Sequence, residues 1–471
     1  GTGKTFTLAG LFLRLLLEYK VSPREILVVT FTEAATAELR DRIRLRLSEA
    51  LAVLEGQPTE DALLARLAGQ TQSQRKAAVA SLRNAIEVFD LVSIHTIHGF
   101  CQRTLQDSAF ESGILFDMEL VPDQENLIRK TAADYCRRQW HGGDELMASV
   151  VLQAKLDPDV LARLLRQYLT YPDLELVTVL PTRPTTILAQ EIRAGYQRCL
   201  ESLGNLETGC RQIADFFLRE PKWAVKEHAK RETIEHHAAS LQTSVLGAGF
   251  WDAVDFFSIS AVRRDTGKGK HMPSPTPCLF EHCETLSRLI DEYTTAHRLA
   301  FLRAAREELG RAKQEAKQQS YDDLISRVAS ALESPSGAAL ARSVRRRYRA
   351  ALIDESQDTD PLQWKIFERV FASSQDHWLY LIGDPKQAIY AFRGADVNTY
   401  LQAAATAQHA YSLGTNWRSE SALVGAVNAL FGAAGENTAF LQEGIDFEPA
   451  QPGPRADSEP LSLDRGQRLP P

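Results

Sequence analysis

The sequence predicts an α/β protein in which a parallel sheet is interrupted by a large helical insertion. Four short apolar runs rich in β-branched residues are each followed by polar, Gly or Pro residues and then a helical pattern, as is typical of buried parallel strands. These runs cover residues 26–31, 91–94, 350–353 and 378–382. From about residue 108 to 340 the pattern is overwhelmingly helical and polar, which indicates a large helical insertion into one sheet domain.

This pattern predicts three parts. The sheet domain comprises residues 1–107 plus 341–405, the helical insertion comprises 108–340, and the start of a further domain comprises 406–471.

Composition limits the class of protein without identifying it. With 44% hydrophobic and 24% charged residues, the chain is typical of a soluble globular protein, and no apolar run reaches the roughly 18 residues of a membrane span. The net charge of −7 gives no overall basic character, so any binding of nucleic acid must depend on local charge. Six cysteines without a C-x-x-C pair predict reduced thiols and a cytoplasmic protein.

The chain opens on a phosphate-binding motif. Residues Gly1, Thr2, Gly3, Lys4 and Thr5 form the second half of G-x-x-x-x-G-K-[ST] and are followed by an apolar helical run. Backbone N–H groups of such a loop bind phosphate oxygens, the lysine reaches the outer phosphates, and the hydroxyl ligates Mg²⁺. We therefore predict ATP and Mg²⁺ as cofactors.

A pair of carboxylates follows the third predicted strand. Asp354 and Glu355 lie directly after the apolar run 350–353. In phosphate-loop NTPases, the first carboxylate holds the metal ion and the second orients and deprotonates the attacking water. We predict these two roles for Asp354 and Glu355.

A third polar segment follows the fourth predicted strand. Gln387 is a neutral amide suited to sensing a γ-phosphate, since it both donates and accepts hydrogen bonds. Tyr390 and Phe392 flank Ala391, and Arg393 follows; an aromatic ring beside a cation can stack a nucleic-acid base and hold the backbone. Core packing remains the alternative for one of the two rings.

Together these segments resemble those of superfamily 1A DNA helicases of the UvrD/Rep kind, and most closely the RecB group of that family. The segments that carry the resemblance, in the order in which the family has them, are Gly1–Thr5, Val28–Ile43, Ile94–Arg103, Tyr321–Leu324, Leu352–Asp360, Gly383–Asp396 and Thr415–Arg418. The resemblance implies a RecA-like domain with the insertion and the start of a second RecA-like domain. One departure is Ser356, where the family usually has an aromatic residue.

The resemblance implies roles for further residues. Single-stranded DNA would be contacted by the residues that match two strand-end motifs, namely Thr30, Thr32, His95, Thr96 and His98. Arg418 matches an arginine that reaches the γ-phosphate, and Trp417 matches an aromatic residue that stacks on adenine. Ordinary β-propensity for the threonines, and a structural role for each histidine, are the alternatives.

A local basic stretch precedes the third strand. Residues 301–349 contain eleven basic and six acidic residues, a net charge of +5, and include Arg345, Arg346 and Arg347. Such a run is either a solvated helix face or, in a family that grips a DNA duplex, a set of phosphate contacts.

The predicted function is that of an ATP-driven 3′→5′ translocase on single-stranded DNA, acting at duplex ends in double-strand break repair and recombination with RecC-like and RecD-like subunits. One alternative is a DNA-binding scaffold without ATPase activity; another is an ATPase unrelated to DNA. The resemblance places the strand before the phosphate loop, the later helicase motifs and a C-terminal nuclease outside these 471 residues. We therefore expect the isolated chain to be poorly stable and inactive as a motor.

Overall fold

The computed structural model describes residues 3–108, 118–121, 123–170, 183–204, 206–218, 223–224, 226–241, 246–274, 276–372, 374, 376–389, 395–434, 439–440, 442–454 and 456–457. The chain divides into two compact units. One comprises residues 1–122 together with 319–471 and is called the sheet unit; the other comprises residues 123–318 and is called the helical unit.

The described residues form helices and short strands. The helices, in chain order, are α1 Lys4–Leu17, α2 Glu33–Leu54, α3 Ala62–Ala68, α4 Gln72–Glu87, α5 Ile97–Asp107, α6 Glu125–Trp140, α7 Glu145–Gln153, α8 Pro158–Thr170, α9 Thr185–Leu203, α10 Leu206–Phe217, α11 Arg231–Ser240, α12 Ala248–Phe256, α13 Ile259–Arg264, α14 Cys278–Glu315, α15 Tyr321–Glu333, α16 Gly337–Arg347, α17 Pro361–Phe367, α18 Val397–Ala405 and α19 Ser421–Gly432. The strands are β1 Ile26–Thr30, β2 Ser93–Thr96, β3 Glu119–Leu120, β4 Gln318–Gln319, β5 Ala350–Ile353, β6 Trp378–Leu381, β7 Thr415–Asn416 and β8 Gln451–Pro452.

Four of these strands form the sheet that the sequence predicts. Their order is β2-β1-β5-β6, and every neighbouring pair is parallel. The parallel α/β class is therefore confirmed. The second strand begins at Ser93 rather than at residue 91, because Phe89–Leu91 forms a 3₁₀ turn before the chain enters the sheet.

The sheet is covered on both faces, which explains why its strands read as continuous apolar runs. Ile26 and Val28 of β1 pack with α1, α2 and α4 on one face. Leu27 and Val29 point to the other face and pack with α5, α15, α16 and α17. Successive side chains of a strand point to opposite faces of the sheet. Because both faces of this sheet are covered, β1 needs an apolar residue at every position.

The predicted boundary of the insertion at residue 340 is wrong. Leu324, Ile325 and Val328 of α15 are buried in the same apolar cluster as β1 and β5, so α15 and α16 belong to the sheet unit. The first boundary also moves, from residue 108 to 123. The sequence pattern predicted that the residues of α15 and α16 are helical, but not which apolar core the buried faces of these two helices join.

The helical unit has its own core, which is rich in aromatic rings. Phe216, Phe217, Trp223, Phe257 and Phe280 are all buried, and Phe217 stacks on Trp223 with ring centroids 5.6 Å apart. No described helix of either unit combines the length and apolar character required to cross a bilayer.

Candidate nucleotide site

The described part of the phosphate loop leads directly into α1. Gly3 adopts a left-handed conformation, with φ +82°, immediately before the helix begins at Lys4. Glycine is favoured there because it has no Cβ to clash in that conformation. Leu8 and Phe12 bury the opposite side of the helix in the sheet core, which fixes the position of its N-terminus. Gly1 and Thr2 lie outside the described residues.

The two predicted carboxylates lie in a tight turn at the carboxyl end of β5. The N–H of Asp354 donates to the carbonyl of Val29 at 2.9 Å, and the N–H of Ser356 donates to the carbonyl of Ile382 at 3.0 Å. Glu355 between them has φ +48° and ψ +44°. A non-glycine residue in this left-handed region costs about 1–3 kcal/mol. The two flanking hydrogen bonds hold the backbone in this strained conformation.

Three segments that are far apart in the sequence meet at Lys4. Its Nζ lies 2.5 Å from Oε2 of Glu355 and 3.2 Å from Oε1 of Gln387. The Lys4 side chain is 14% exposed and that of Glu355 is 37% exposed, so the ion pair is accessible to a ligand from one side. The structure thus brings together the lysine, the acidic residue and the amide that sequence patterns assigned to ATP hydrolysis.

Asp354 has the properties expected of a ligand for a cation. Burial, and then the neighbouring Glu355 carboxylate, raise the pKa of Asp354 to about 6. Its Oδ1 is buried and has no hydrogen-bond partner among the described residues. A divalent ion would satisfy this oxygen and offset the burial of its charge, so Asp354 fits the predicted metal ion. Within the described ranges, no group of three or more His, Cys, Asp or Glu side chains could hold a metal by itself.

Gln357 is a residue of this site that the sequence reasoning missed. It is 2% exposed, and its Nε2 donates to Oε2 of Glu355 at 2.9 Å. Its Oε1 accepts from the N–H of Asp384 at 2.9 Å. The sequence could have indicated Gln357 through its position three residues after Asp354. A glutamine so close to two carboxylates is not by itself distinctive.

Trp417 and Arg418 follow β7. The ring of Trp417 lies beside the phosphate loop, since a Cβ built on Gly3 would be 3.5 Å from Trp417 Cδ1. The indole is 65% exposed, and Arg418 is exposed next to it. Both side chains are therefore accessible from solvent, and their roles in binding ATP stay predictions.

The threonines predicted to contact DNA have structural partners. Thr32 caps α2 by accepting from the N–H of Ala35 at 3.1 Å, and Thr96 caps α5 by accepting from the N–H of Gly99 at 3.2 Å. Thr30 is 2% exposed, and its Oγ1 lies 2.5 Å from that of Thr36. Since a cap contributes about 1 kcal/mol, these contacts explain Thr32 and Thr96 without DNA. Of the three, Thr32 alone is exposed.

The two predicted histidines differ in their surroundings. Burial, together with Arg103 and Arg40, lowers the pKa of His95 to about 4, and His95 Nε2 lies 3.4 Å from Nη1 of Arg103. His95 is therefore a neutral hydrogen-bond acceptor at neutral pH. Burial also lowers the pKa of His98, whose ring packs edge-on against Tyr321 at 5.3 Å. Arg103 is exposed and is the better candidate at this strand end for a phosphate contact.

The three arginines at the end of α16 are not equivalent. Arg347 forms an ion pair with Asp107 and lies over the ring of Tyr348, 5.4 Å from its centroid. Arg345 is half-buried, and only Arg346 of the three is exposed. These three residues lie in the sheet unit, as the predicted bounds 341–405 place them, because α16 packs on the sheet through Leu340 and other apolar residues.

Three further predicted DNA contacts, Tyr390, Phe392 and Arg393, lie outside the described residues. Among the cysteines, those whose side chains are described are free: Cys101, Cys136, Cys199, Cys278 and Cys283.

A parallel sheet with a G-K-T segment, two adjacent carboxylates and a glutamine amide at its carboxyl edge is typical of a phosphate-loop NTPase. The UvrD/REP helicase N-terminal domain matches residues 1–408 of the chain, which therefore belongs to that family.

The chain is similar to RecB subunits of the RecBCD enzyme. It is 37% identical to that of Escherichia coli (strain K12) over 96% of its own length and 38% of the relative's. It is 32% identical to that of Haemophilus influenzae over 95% of its length and 40% of the relative's, and 31% identical to that of Mycobacterium tuberculosis (strain CDC 1551) over 90% and 28%. The predicted resemblance to RecB is thus confirmed, and the chain spans well under half of each relative.

Proposed function

We propose that this chain forms the ATP-binding part of a DNA helicase subunit in a RecBCD-type exonuclease V complex. The observation that carries the proposal is the meeting of Lys4, Glu355 and Gln387 at the carboxyl edge of the sheet. Membership of the UvrD/REP family supports DNA as the polymer on which the motor acts. The RecB relatives support assembly with RecC-like and RecD-like subunits.

The side chains divide the chemistry of ATP hydrolysis between them. Lys4 supplies a cation for the outer phosphates, and Gln387 can exchange its contact with Lys4 for one with the γ-phosphate. Thr5 and Asp354 would hold Mg²⁺, which neutralises phosphate charge when bound. Glu355 would deprotonate the attacking water, Arg418 would reach the γ-phosphate, and Trp417 would stack on adenine.

Movement along DNA requires that the nucleotide site and the DNA track are linked. Gln387 lies three residues before Tyr390 and five before Phe392, so one segment carries the sensing amide and the proposed base-stacking rings. We propose 3′→5′ translocation on single-stranded DNA from duplex ends, in double-strand break repair and recombination in the cytoplasm.

A DNA-binding scaffold without ATPase activity is the alternative. It would gain nothing from the Lys4–Glu355 ion pair or from a buried Asp354 oxygen without a hydrogen-bond partner among the described residues, because such an oxygen costs stability unless a cation binds it. The proposed enzyme explains all of them.

The test is the rate of ATP hydrolysis by the complete protein with its partner subunits, with and without single-stranded oligonucleotide. We expect slow hydrolysis without the oligonucleotide and hydrolysis at least several-fold faster with it. The reason is that segment 383–396 carries both the amide of the nucleotide site and the proposed DNA-stacking rings. Equal rates in the two conditions would refute the coupling, and no hydrolysis in either would favour the scaffold.

A second prediction uses the difference between neighbouring arginines. Arg346→Ala should reduce the salt dependence of duplex binding by about 0.9 in the slope of log K against log salt, the value for one lost phosphate contact. Arg347→Ala is the matched control and should change the slope less, since its charge is already paired with Asp107. Affinities measured over a series of salt concentrations give both slopes. If Arg346→Ala leaves the slope unchanged, this run is only a solvated helix face.

A further inference from the structure

Gln357 is held at both ends of its amide. The Nε2 group donates to Glu355 Oε2 at 2.9 Å and lies 3.4 Å from Oδ2 of Asp358, while Oε1 accepts from the N–H of Asp384 at 2.9 Å. Because the side chain is 2% exposed, water cannot replace these partners without opening the core. The amide therefore connects the turn after β5 to the segment after β6.

These contacts are part of a closed ring of hydrogen bonds. Lys4 donates to Glu355, Gln357 donates to the same Glu355 oxygen, and Gln357 accepts from Asp384. Asp384 Oδ2 in turn accepts from Nε2 of Gln387 at 2.8 Å, and Gln387 Oε1 accepts from Lys4 at 3.2 Å. Every member of the ring except Gln357 and Asp384 was assigned to ATP hydrolysis from the sequence.

Binding of a polyphosphate would break this ring at Lys4. Lys4 is the cation that phosphate oxygens would recruit, and its two bonds to Glu355 and Gln387 compete with them. Once Lys4 turns to the phosphates, the contact from Gln357 is the remaining described hydrogen bond to the Glu355 carboxylate. The path from Glu355 through Gln357 and Asp384 to Gln387 stays intact.

We propose that Gln357 is a positioning residue, which fixes Glu355 for proton abstraction after Lys4 binds phosphate and links it to the segment that carries Gln387. The inference rests on the proposed ATPase function and adds a residue to it.

The turn after β5 and the segment after β6 pack closely against each other, which fixes the distance between them. A Cβ built on Gly383 would lie 2.7 Å from Gln357 Oε1 and 2.6 Å from Ser356 Oγ. Real Cβ atoms essentially never approach so closely, so a side chain at 383 would displace Gln357 or Ser356 from its place. Ser356, at the position where the family usually has an aromatic residue, packs against Gly383 in the same way.

The test compares three variants of the complete protein with its partner subunits. Gln357→Glu keeps an acceptor for Asp384 but replaces the donor with a carboxylate that faces Glu355, and Gln357→Ala removes both contacts. Gln363→Ala is the matched control, since Gln363 also donates to an aspartate, Asp360 at 2.6 Å, but has no bond to the ring. DNA-stimulated ATP turnover is measured per nucleotide-binding site, which is counted with a fluorescent ATP analogue.

We expect both Gln357 variants to lower kcat by about 10²-fold, the effect of misplacing a catalytic group by roughly 1 Å, while KM for ATP stays near wild type. Gln363→Ala should keep wild-type kcat. Because Gln357 acts through Glu355, adding Gln357→Ala to Glu355→Gln should slow turnover no further.

Three results would overturn the inference. The first is wild-type kcat in the Gln357 variants. The second is that Gln357→Ala lowers kcat as much in the Glu355→Gln background as it does in the wild type, and the third is the loss of all nucleotide-binding sites. The last would assign Gln357 to the stability of the fold. Wild-type protein that hydrolyses no ATP, with or without DNA, would instead refute the proposed function itself.

Discussion

Glu355→Gln should slow ATP turnover by about 10²–10⁴-fold, because the amide has the size of the carboxylate but cannot accept the proton of the attacking water. ATP binding should persist, since Lys4 loses a competing anion and Asp354 is unchanged. The measurements are steady-state turnover with single-stranded DNA and the dissociation constant of a fluorescent ATP analogue.

The structure sharpens this prediction. Lys4 Nζ lies 2.5 Å from Glu355 Oε2, so removing the carboxylate charge frees the lysine for phosphate and should tighten ATP binding rather than weaken it. Glu87→Gln on α4 makes the same change of charge at an exposed position outside the site and should behave as wild type. Turnover above about a tenth of wild type in Glu355→Gln would mean that another group is the base.

Lys4→Ala is expected to weaken ATP binding and turnover together. A hydrogen bond to a charged group contributes about 1.5–3 kcal/mol, which corresponds to roughly a 10- to 150-fold increase in Kd for ATP. Turnover falls as well, because the same amine is expected to stabilise charge on the outer phosphates during transfer. Titration with the fluorescent analogue and steady-state kinetics measure the two effects separately.

Lys76→Ala is a suitable control for Lys4→Ala, since Lys76 is exposed on α4. A Lys4→Ala protein with unchanged affinity for ATP and unchanged turnover would show that Lys4 has no role in ATP hydrolysis. A protein that binds normally but turns over slowly would place Lys4 in the transition state alone.

Sequence patterns determined the fold class and the chemical residues of the site. Apolar runs without alternation specified a buried parallel sheet, because strands covered on both faces need apolar side chains at every position. The phosphate loop, Asp354, Glu355 and Gln387 could be found because their chemistry depends on residue type at fixed local spacing, and the carboxyl edge of the sheet is where such residues meet.

The tertiary structure alone decided which side chains are available and what connects them. Thr30 and Arg347 match binding patterns, yet the Thr30 hydroxyl is buried against Thr36, and the Arg347 guanidinium is paired with Asp107, which is 240 residues away in the sequence. The assignment of α15 to the sheet unit and the contacts of Gln357 likewise depend on how separate segments of the chain pack together. Local spacing encodes the chemistry of a residue, whereas burial and long-range hydrogen bonds depend on how the whole chain packs.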